Sequence, residues 1–188
     1  MQGAVTRHMD TNTWLVSLNE ILPRLWVGNQ AASQSKECFD QYKFTLIVNC
    51  TGHLDNKFSQ SCKYYRIPVN DPGPGAGPDN INVRVMREHI PVALRLIAEE
   101  LVRGGRVLVH CHAGMQRSAG LVCAFLMRSK YKNLPAKSAF AQSVDHMIKR
   151  RPSVFYGGGN VNFTHAILDL SDMPIGKPKE TGRQTVAF

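Results

Sequence analysis

One stretch of the chain, residues 106–120, most constrains what the protein can fold into. Residues 106–109 form a short β-branched and aliphatic run after two glycines, which is typical of a strand buried on both faces of a sheet. From Ser118 onward, apolar residues recur with helical spacing. A tight loop therefore joins the end of a buried strand to the start of a helix. In open α/β sheets, ligands bind beyond the carboxyl ends of the strands, where this loop lies.

The loop carries residues that suit phosphate chemistry. Cys111 and Arg117 are separated by five residues. The backbone N–H groups of such a loop, with the positive end of a helix dipole behind them, form a concavity for a tetrahedral dianion. The amide dipoles and the Arg117 guanidinium would stabilise the Cys111 thiolate, which is the nucleophilic form of cysteine. The planar arginine fork also matches two phosphate oxygens.

Two small residues complete this prediction. Gly114 lets the backbone approach the anion without a side chain intervening. Ser118 can donate a hydrogen bond to the Cys111 sulfur, which makes that sulfur a better leaving group in the second step of the reaction. The alternative interpretation is a buried structural cysteine beside a surface arginine. It suits Cys38 or Cys123, but it leaves the fixed offsets within the loop unexplained.

Residues 110–118 resemble the HCxxGxxRS signature of the dual-specificity protein phosphatases, a family of the cysteine-dependent phosphatase superfamily. The resemblance extends to the family's first three strands and to its closing segment, at residues 20–29, 46–51, 66–71, 151–152 and 162–163. It covers roughly residues 19–170. The compact loop, with Met115 and Gln116 inside it, is similar to versions from large DNA viruses.

The resemblance implies an α/β fold with a central, mostly parallel sheet of four or five strands and helices on both faces. We expect one phosphatase domain at residues 19–170, between an N-terminal accessory segment at 1–18 and a C-terminal tail at 171–188. The resemblance also implies hydrolysis of phosphotyrosine and of phosphoserine or phosphothreonine in proteins. This reaction would pass through a phosphocysteine intermediate on Cys111, without a metal or another cofactor.

The resemblance gives roles to further residues. The loop would bind the phosphate through the backbone amides of His112, Ala113, Gly114, Met115 and Gln116. His110 would be a buried hydrogen-bonding support rather than a base. Asn160 could reach the site from the Gly-rich loop at 157–160, although a plain turn residue is the simpler interpretation. Cys50 could form a reversible disulfide with Cys111 on oxidation, although a buried thiol is again the simpler interpretation.

A carboxylic acid above the loop must protonate the oxygen that leaves during thiolate attack. The resemblance places this acid at Asp71. However, the Pro- and Gly-rich segment 71–78 looks longer than is usual in the family, and counting back from Cys111 at the family's usual separation reaches Asp79 instead. Asp79 is also a candidate helix cap. We favour Asp71 as the general acid, with Asp79 as the alternative.

Hydrophobic periodicity predicts the other elements. Strands are expected at residues 21–27, 44–49 and 64–69, all running towards the side where Cys111 lies. Helices are expected at 31–42 (opened by Asn29), at 81–102 (capped by Asp79 or Asn80), from 118 to 131, from 135 to before 152, and at 161–170.

Cysteine usage and hydropathy indicate the cellular compartment that we expect for the protein. The five cysteines are odd in number and contain no Cys-x-x-Cys pair, which argues against a disulfide framework or a zinc site. It favours a reducing, intracellular compartment, the cytoplasm or the nucleus. No apolar run approaches membrane-spanning length, and the N-terminus has no apolar core of a signal peptide.

The net charge of +9 favours phosphorylated or other polyanionic partners. The basic residues form no block of five and few aromatic residues are interleaved with them, so nucleic acid is not the expected partner. Trp14, Leu15, Val16 and Leu18 of the N-terminal segment could pack on the domain or form a homodimer contact, and packing is the simpler interpretation.

Three alternative functions follow from the same residues. The superfamily also contains RNA 5′-phosphatases and phosphoinositide phosphatases, and the basic charge allows either. The lipid enzymes usually carry lysines between the cysteine and the arginine, whereas this loop has none. A phosphate-binding, non-catalytic relative would lack the cysteine or the arginine, and this chain has both.

Overall fold

The computed structural model describes residues 15–169 of the chain. A five-stranded sheet forms its centre, in the order β1-β2-β5-β3-β4. The strands are β1 (Leu18–Leu22), β2 (Leu25–Gly28), β3 (Leu46–Asn49), β4 (Lys63–Arg66) and β5 (Val107–His110). The strands β2 to β5 are parallel, and only β1 pairs in the antiparallel sense, with β2. This confirms the mostly parallel sheet that the sequence predicts.

Six helices and one short turn surround this sheet in the described part of the chain. The helices are α1 (Gln30–Gln34), α2 (Lys36–Tyr42), α3 (Ile81–Val102), α4 (Arg117–Arg128), α5 (Ala136–Arg150) and α6 (Thr164–Leu168), and a 3₁₀ turn spans Val154–Gly157. None of the helices in residues 15–169 is long and apolar enough to cross a membrane.

Successive residues of the central strands point to opposite faces of the sheet, as the pleat requires. Ile47 and Leu108 pack on one face with Phe39 of α2. Val48 and Val109 pack on the other face, in the larger core that α3, α4, α5 and α6 cover. The predicted arrangement of helices on both faces is therefore confirmed.

The prediction of a single strand at residues 21–27 is wrong. The segment is a hairpin, because the chain turns back at Pro23 and Arg24 and Leu22 pairs with Leu25. Arg24 has a φ of +67°, and its backbone N–H donates to Glu20 Oε1 at 2.8 Å. An arginine is an uncommon residue at a positive φ, so the turn carries none of the usual glycine or asparagine signals.

Other predicted boundaries also differ from the structure. The expected helix at 31–42 is two helices, because Ser35 ends α1 and its side chain accepts from Cys38 N at the start of α2. The last helix is shorter than the predicted 161–170, since residues 161–163 form a turn before α6. Asn80 caps α3 by accepting from Asn82 N.

The N-terminal segment predicted as an accessory region meets the sheet within the described residues. Leu18 begins β1, and Ser17 exchanges two hydrogen bonds with Asn29, one to its backbone and one to its side chain. Trp14 and the tail at 171–188 lie outside the described residues.

Candidate active site

Three parallel strands, β2, β5 and β3, end side by side at the point where the loop after β5 begins. Gly28 of β2 and Asn49 of β3 pair in register with His110 of β5, one on each side. The chain leaves β5 at Cys111 and enters α4 at Arg117. The predicted strand–loop–helix stretch is therefore present, and its loop (residues 111–117, the catalytic loop) opens at the centre of the sheet edge.

Cys111 lies at the base of this loop and is 2% exposed. Its sulfur accepts a hydrogen bond from the Gly114 backbone N–H at 3.2 Å and another from the Ser118 hydroxyl at 3.3 Å. Both donors favour negative charge on the sulfur. The structure thus brings together the cysteine, the glycine and the serine that the sequence singled out.

The backbone carbonyls of residues 112–116 point away from the interior of the catalytic loop. Each carbonyl from residue 112 to residue 116 accepts a hydrogen bond from outside the loop. The donors are Gln30 N to His112 O (2.9 Å), Arg151 Nη2 to Ala113 O (3.4 Å), Arg151 Nε to Gly114 O (2.9 Å), Phe155 N to Met115 O (3.1 Å) and Gly120 N to Gln116 O (2.7 Å). A trans peptide points its C=O and N–H in opposite directions, so the N–H groups of residues 113–117 face the interior. Such a ring of amides binds an oxyanion.

Arg151 is the residue that the sequence prediction missed. The sequence placed Arg151 only in the family's closing segment, where a helix ends before Pro152. In the structure the residue is 2% exposed, and its guanidinium reaches back to two loop carbonyls. Its Nη1 also donates to Asn19 Oδ1 at 2.7 Å, which ties the loop to β1. A buried cation that donates to several oxygens is a strong structural restraint.

Gly114 allows a close approach between the catalytic loop and β2. Its φ is +69°, and a Cβ on this residue would lie 2.7 Å from Gly28 O and 2.8 Å from Arg151 Nη2. The sequence predicted a glycine that clears space for the anion. In addition, the structure shows that the absent side chain makes room for the neighbouring strand.

Arg117 begins α4 at the edge of the loop. Its Nη1 donates to Val69 O at 3.4 Å, and its buried Nε has no hydrogen-bond partner among the described residues. Burial makes an unpaired guanidinium N–H costly unless an oxygen reaches it. The fork is therefore suited to an anion held against the amide ring.

Asp71 and Asp79 occupy different positions at the two ends of the Pro- and Gly-rich segment. Asp71 follows Val69 by two residues, and its Oδ1 accepts from Asn162 Nδ2 at 2.6 Å and from Gly73 N at 3.2 Å. Asp79 lies in the turn before α3, which Asn80 caps. Asp71 is thus tied by hydrogen bonds to the segment that also contacts the catalytic loop.

Two buried residues flank Cys111. Burial lowers the pKa of His110 to about 4, with the Cys111 backbone opposing and Arg66 and Arg117 adding to the shift. His110 is therefore neutral near pH 7, and neither ring nitrogen has a partner of good hydrogen-bond geometry among the described residues. Cys50 N donates to His110 O at 2.8 Å, and burial raises the pKa of the Cys50 thiol well above its usual value.

Gln116 is buried and bonds with both ends of its side-chain amide. Its Nε2 donates to Asn160 O at 2.8 Å, and its Oε1 accepts from Asn162 N at 3.1 Å. Asn160 therefore meets the catalytic loop through its backbone carbonyl. Asn160 and Asn162 also line a cavity of about 250 Å³ between residues 74–76 and 159–165.

No group of three or more His, Cys, Asp and Glu side chains in residues 15–169 is arranged to hold a metal ion. All five cysteines, which lie in this range, are free thiols.

Comparison with known proteins gives one consistent family. The sequence model of the family described as "Dual specificity phosphatase, catalytic domain" matches residues 25–171. The chain is 33% identical over 154 residues to dual specificity protein phosphatase Mpk3 of Drosophila melanogaster, which covers 80% of this chain and 33% of that protein. It is 29% identical over 149 residues to human dual specificity protein phosphatase 1, covering 79% of this chain and 38% of that protein. The chain thus spans little more than a third of the length of these relatives.

A solved structure agrees with this family. The Yvh1 phosphatase domain from Chaetomium thermophilum superposes with a TM-score of 0.67 at 25% sequence identity, over 86% of this chain and all of that domain (100%). The fold and the sequence family therefore point to the same group of proteins.

Proposed function

The chain belongs to the dual-specificity phosphatase family, and from this premise we propose that it hydrolyses phosphotyrosine and phosphoserine or phosphothreonine in proteins. The observation that carries the proposal is the orientation of the catalytic loop. The carbonyls of residues 112–116 are held outward, so that the loop amides converge beside the Cys111 sulfur. This arrangement supports binding of a phosphate dianion directly over a nucleophile.

The reaction proceeds in two displacements at phosphorus. The Cys111 thiolate attacks the phosphorus, an S–P bond forms and the P–O bond to the substrate breaks. Asp71 gives its proton to the departing oxygen. Water then attacks the phosphocysteine, Asp71 takes a proton from it, and the S–P bond breaks to release inorganic phosphate. The Ser118 hydroxyl stabilises the thiolate that leaves, and Arg117 binds two phosphate oxygens throughout.

We place the protein inside the cell, in the cytoplasm or nucleus, because its five free thiols suit a reducing compartment. The homodimer contact through the N-terminal segment stays a prediction, since most of that segment lies outside the described residues. Phosphorylated proteins are the proposed partners, and the net charge of +9 favours their approach.

Hydrolysis of para-nitrophenyl phosphate by Cys111→Ser tests the nucleophile. The variant should keep its fold and its phosphate binding, and its turnover should fall below about one per cent of the native rate, because a hydroxyl is a poor nucleophile in this loop. Arg117→Lys should fail nearly as badly, since an ammonium cannot hold two oxygens in one plane. Addition of EDTA should leave the native rate unchanged. Turnover by Cys111→Ser, or loss with EDTA restored by a divalent cation, would contradict the proposal.

A substrate panel at matched concentrations tests the substrate class. Phosphotyrosine and phosphothreonine peptides should be better substrates than a 5′-triphosphorylated RNA or a phosphoinositide. If the RNA or the lipid is hydrolysed faster than both peptides, the chemistry stands and the assignment to proteins falls.

Leaving-group dependence tests the acid. Asp71→Asn should slow aryl phosphates with poor leaving groups on the order of 10²-fold and barely affect activated ones, whose leaving group needs no proton. Asp79→Asn should behave as the native protein for both, because Asn80 caps α3 in either case. The reverse pattern would make Asp79 the acid.

A further inference from the structure

We propose that Gln116 is a positioning residue that holds the general acid over the catalytic loop, acting through Asn162. The inference rests on the proposed function, because it takes Asp71 as the proton donor. It names a residue within the loop whose side chain contributes to catalysis without contacting the phosphate.

The Gln116 side chain is available for this role because the helix that follows does not use it. Gln116 is the N-cap residue of α4, yet its side chain makes no capping hydrogen bond. The side chain is 2% exposed, and both ends of its amide bond instead to the segment at 160–162. A buried primary amide that donates to one backbone group and accepts from another nearby fixes the position of that backbone segment.

Asn162 carries this restraint onward to the acid. Its backbone N–H is held by Gln116 Oε1, and its side-chain Nδ2 donates to Asp71 Oδ1 at 2.6 Å. Asn162 is 3% exposed, so its side chain cannot move freely to another partner. The hydrogen bonds therefore run without a gap from the catalytic loop to the carboxyl group.

The geometry at Asp71 suits proton donation. Oδ1 accepts both hydrogen bonds, from Asn162 and from Gly73 N, and Oδ2 accepts none among the described residues. The proton is therefore best carried on Oδ2. Asp71 precedes a segment with three prolines and three glycines, which has few hydrogen bonds of its own to set the position of the carboxyl group. The contact with Asn162 supplies that restraint from outside the segment.

Gln116 lies directly before Arg117, which binds phosphate oxygens and donates to Val69 O, two residues before the acid. Consecutive residues of the catalytic loop therefore approach the segment that carries the acid, Arg117 at Val69 O (3.4 Å) and Gln116 through Asn162. In the proposed mechanism, the contact with Asn162 holds the carboxyl group in place before the anion binds.

The test compares Gln116→Met with the native protein across aryl phosphates of graded leaving-group ability. Methionine fills a similar volume and makes neither hydrogen bond. We expect turnover of poor leaving groups to fall about tenfold, less than in Asp71→Asn, because the acid is displaced rather than removed. Activated substrates should lose far less than poor leaving groups, because their leaving group needs no proton. The matched control is Gln142→Met on the exposed side of α5, which should be native in all of these measurements.

A second variant guards against a folding defect in Gln116→Met. Asn162→Ala removes the hydrogen bond to Asp71 but keeps the backbone N–H that Gln116 binds, and it should show the same leaving-group dependence. The double variant Gln116→Met/Asp71→Asn should be no slower than Asp71→Asn alone.

The outcomes separate this inference from the proposed function. Equal losses for good and poor leaving groups in both variants, or additive losses in the double variant, would overturn the positioning role. If Asp71→Asn shows no leaving-group dependence while Cys111→Ser is inactive, the positioning role falls and the phosphocysteine mechanism stands. If Cys111→Ser remains active, the proposed function itself falls.

Discussion

Replacement of Arg151 by methionine tests whether one buried guanidinium fixes the shape of the catalytic loop. The substitution keeps an unbranched side chain of similar reach and removes all donors. Burial lowers the pKa of Arg151, but an arginine remains a cation at neutral pH even so. The variant therefore deletes a buried charge together with its hydrogen bonds.

The distances set the size of the effect. The bonds to Gly114 O (2.9 Å) and Asn19 Oδ1 (2.7 Å) are short and charge-assisted, and each contributes about 1.5–3 kcal/mol. The bond to Ala113 O, at 3.4 Å, adds little. Relief of the cost of burying the guanidinium offsets part of the loss, which leaves about 2–4 kcal/mol of destabilisation. A domain of ordinary stability, about 5–15 kcal/mol, would remain folded at 25 °C.

Urea denaturation, followed by tryptophan fluorescence, measures the stability, and kcat/KM measures the loop. With two loop carbonyls released, the amides behind them lose their fixed direction, and we expect kcat/KM to fall about 10²-fold or more. Arg150→Met is the matched control, because it removes the same charge from the exposed neighbouring residue, and its stability should change by less than about 0.5 kcal/mol. Equal stability and activity in the two variants would refute the role given to Arg151.

Three further predictions concern the residues around the loop. Gly114→Ala should abolish activity and destabilise the domain, because the new Cβ would clash with a backbone oxygen. Gly75 has a similar φ of +74° but lies in open space, so Gly75→Ala should lower the free energy of unfolding by only about 1–2 kcal/mol. Similar melting temperatures for the two variants would contradict this prediction. Because folding lowers the pKa of His110 to about 4, the unfolded chain binds a proton first, so stability should fall by about 3 kcal/mol as the pH drops from about 6.5 to 4. Denaturation of His110→Gln over the same range should lack this component. Finally, the raised pKa of Cys50 keeps its thiol protonated, so peroxide inactivation at Cys111, and its recovery with dithiothreitol, should be the same in Cys50→Ala as in the native protein.

The part of the site that the sequence predicts is the part that is local in the chain. Cys111, Gly114, Arg117 and Ser118 lie within eight consecutive positions, so their offsets alone lead to the proposed chemistry. The long helix α3 is likewise predicted at its true bounds, since its period is unbroken and an asparagine and two glycines flank it.

The rest depends on contacts that no local pattern records. In the sequence, Arg151 is only the last residue of a predicted helix, and its hydrogen bond to Gly114 O is visible only in the fold. In the sequence, Asn162 is one of several polar residues near a Gly-rich loop, and only the fold shows that its side-chain amide donates to Asp71. The sequence did not predict the hairpin at Arg24. This turn has no glycine at its positive φ, so the apolar residues on both sides read as one continuous strand.

The side chains that hold the catalytic loop come from both ends of the domain. We therefore expect the loop to reach its final shape only after these two ends have come together. The bond between Asn19 and Arg151 joins residues 132 positions apart, whereas the last strand of the sheet ends at His110. A growing chain that has reached α4 contains the whole catalytic loop with Cys111, but it still lacks Arg151, which binds two of the loop carbonyls. We therefore expect activity to require the part of the domain that follows the last strand. A chain shortened just before residue 151 should have no activity, and it would also lose the core residues Phe155, Phe163 and Ile167.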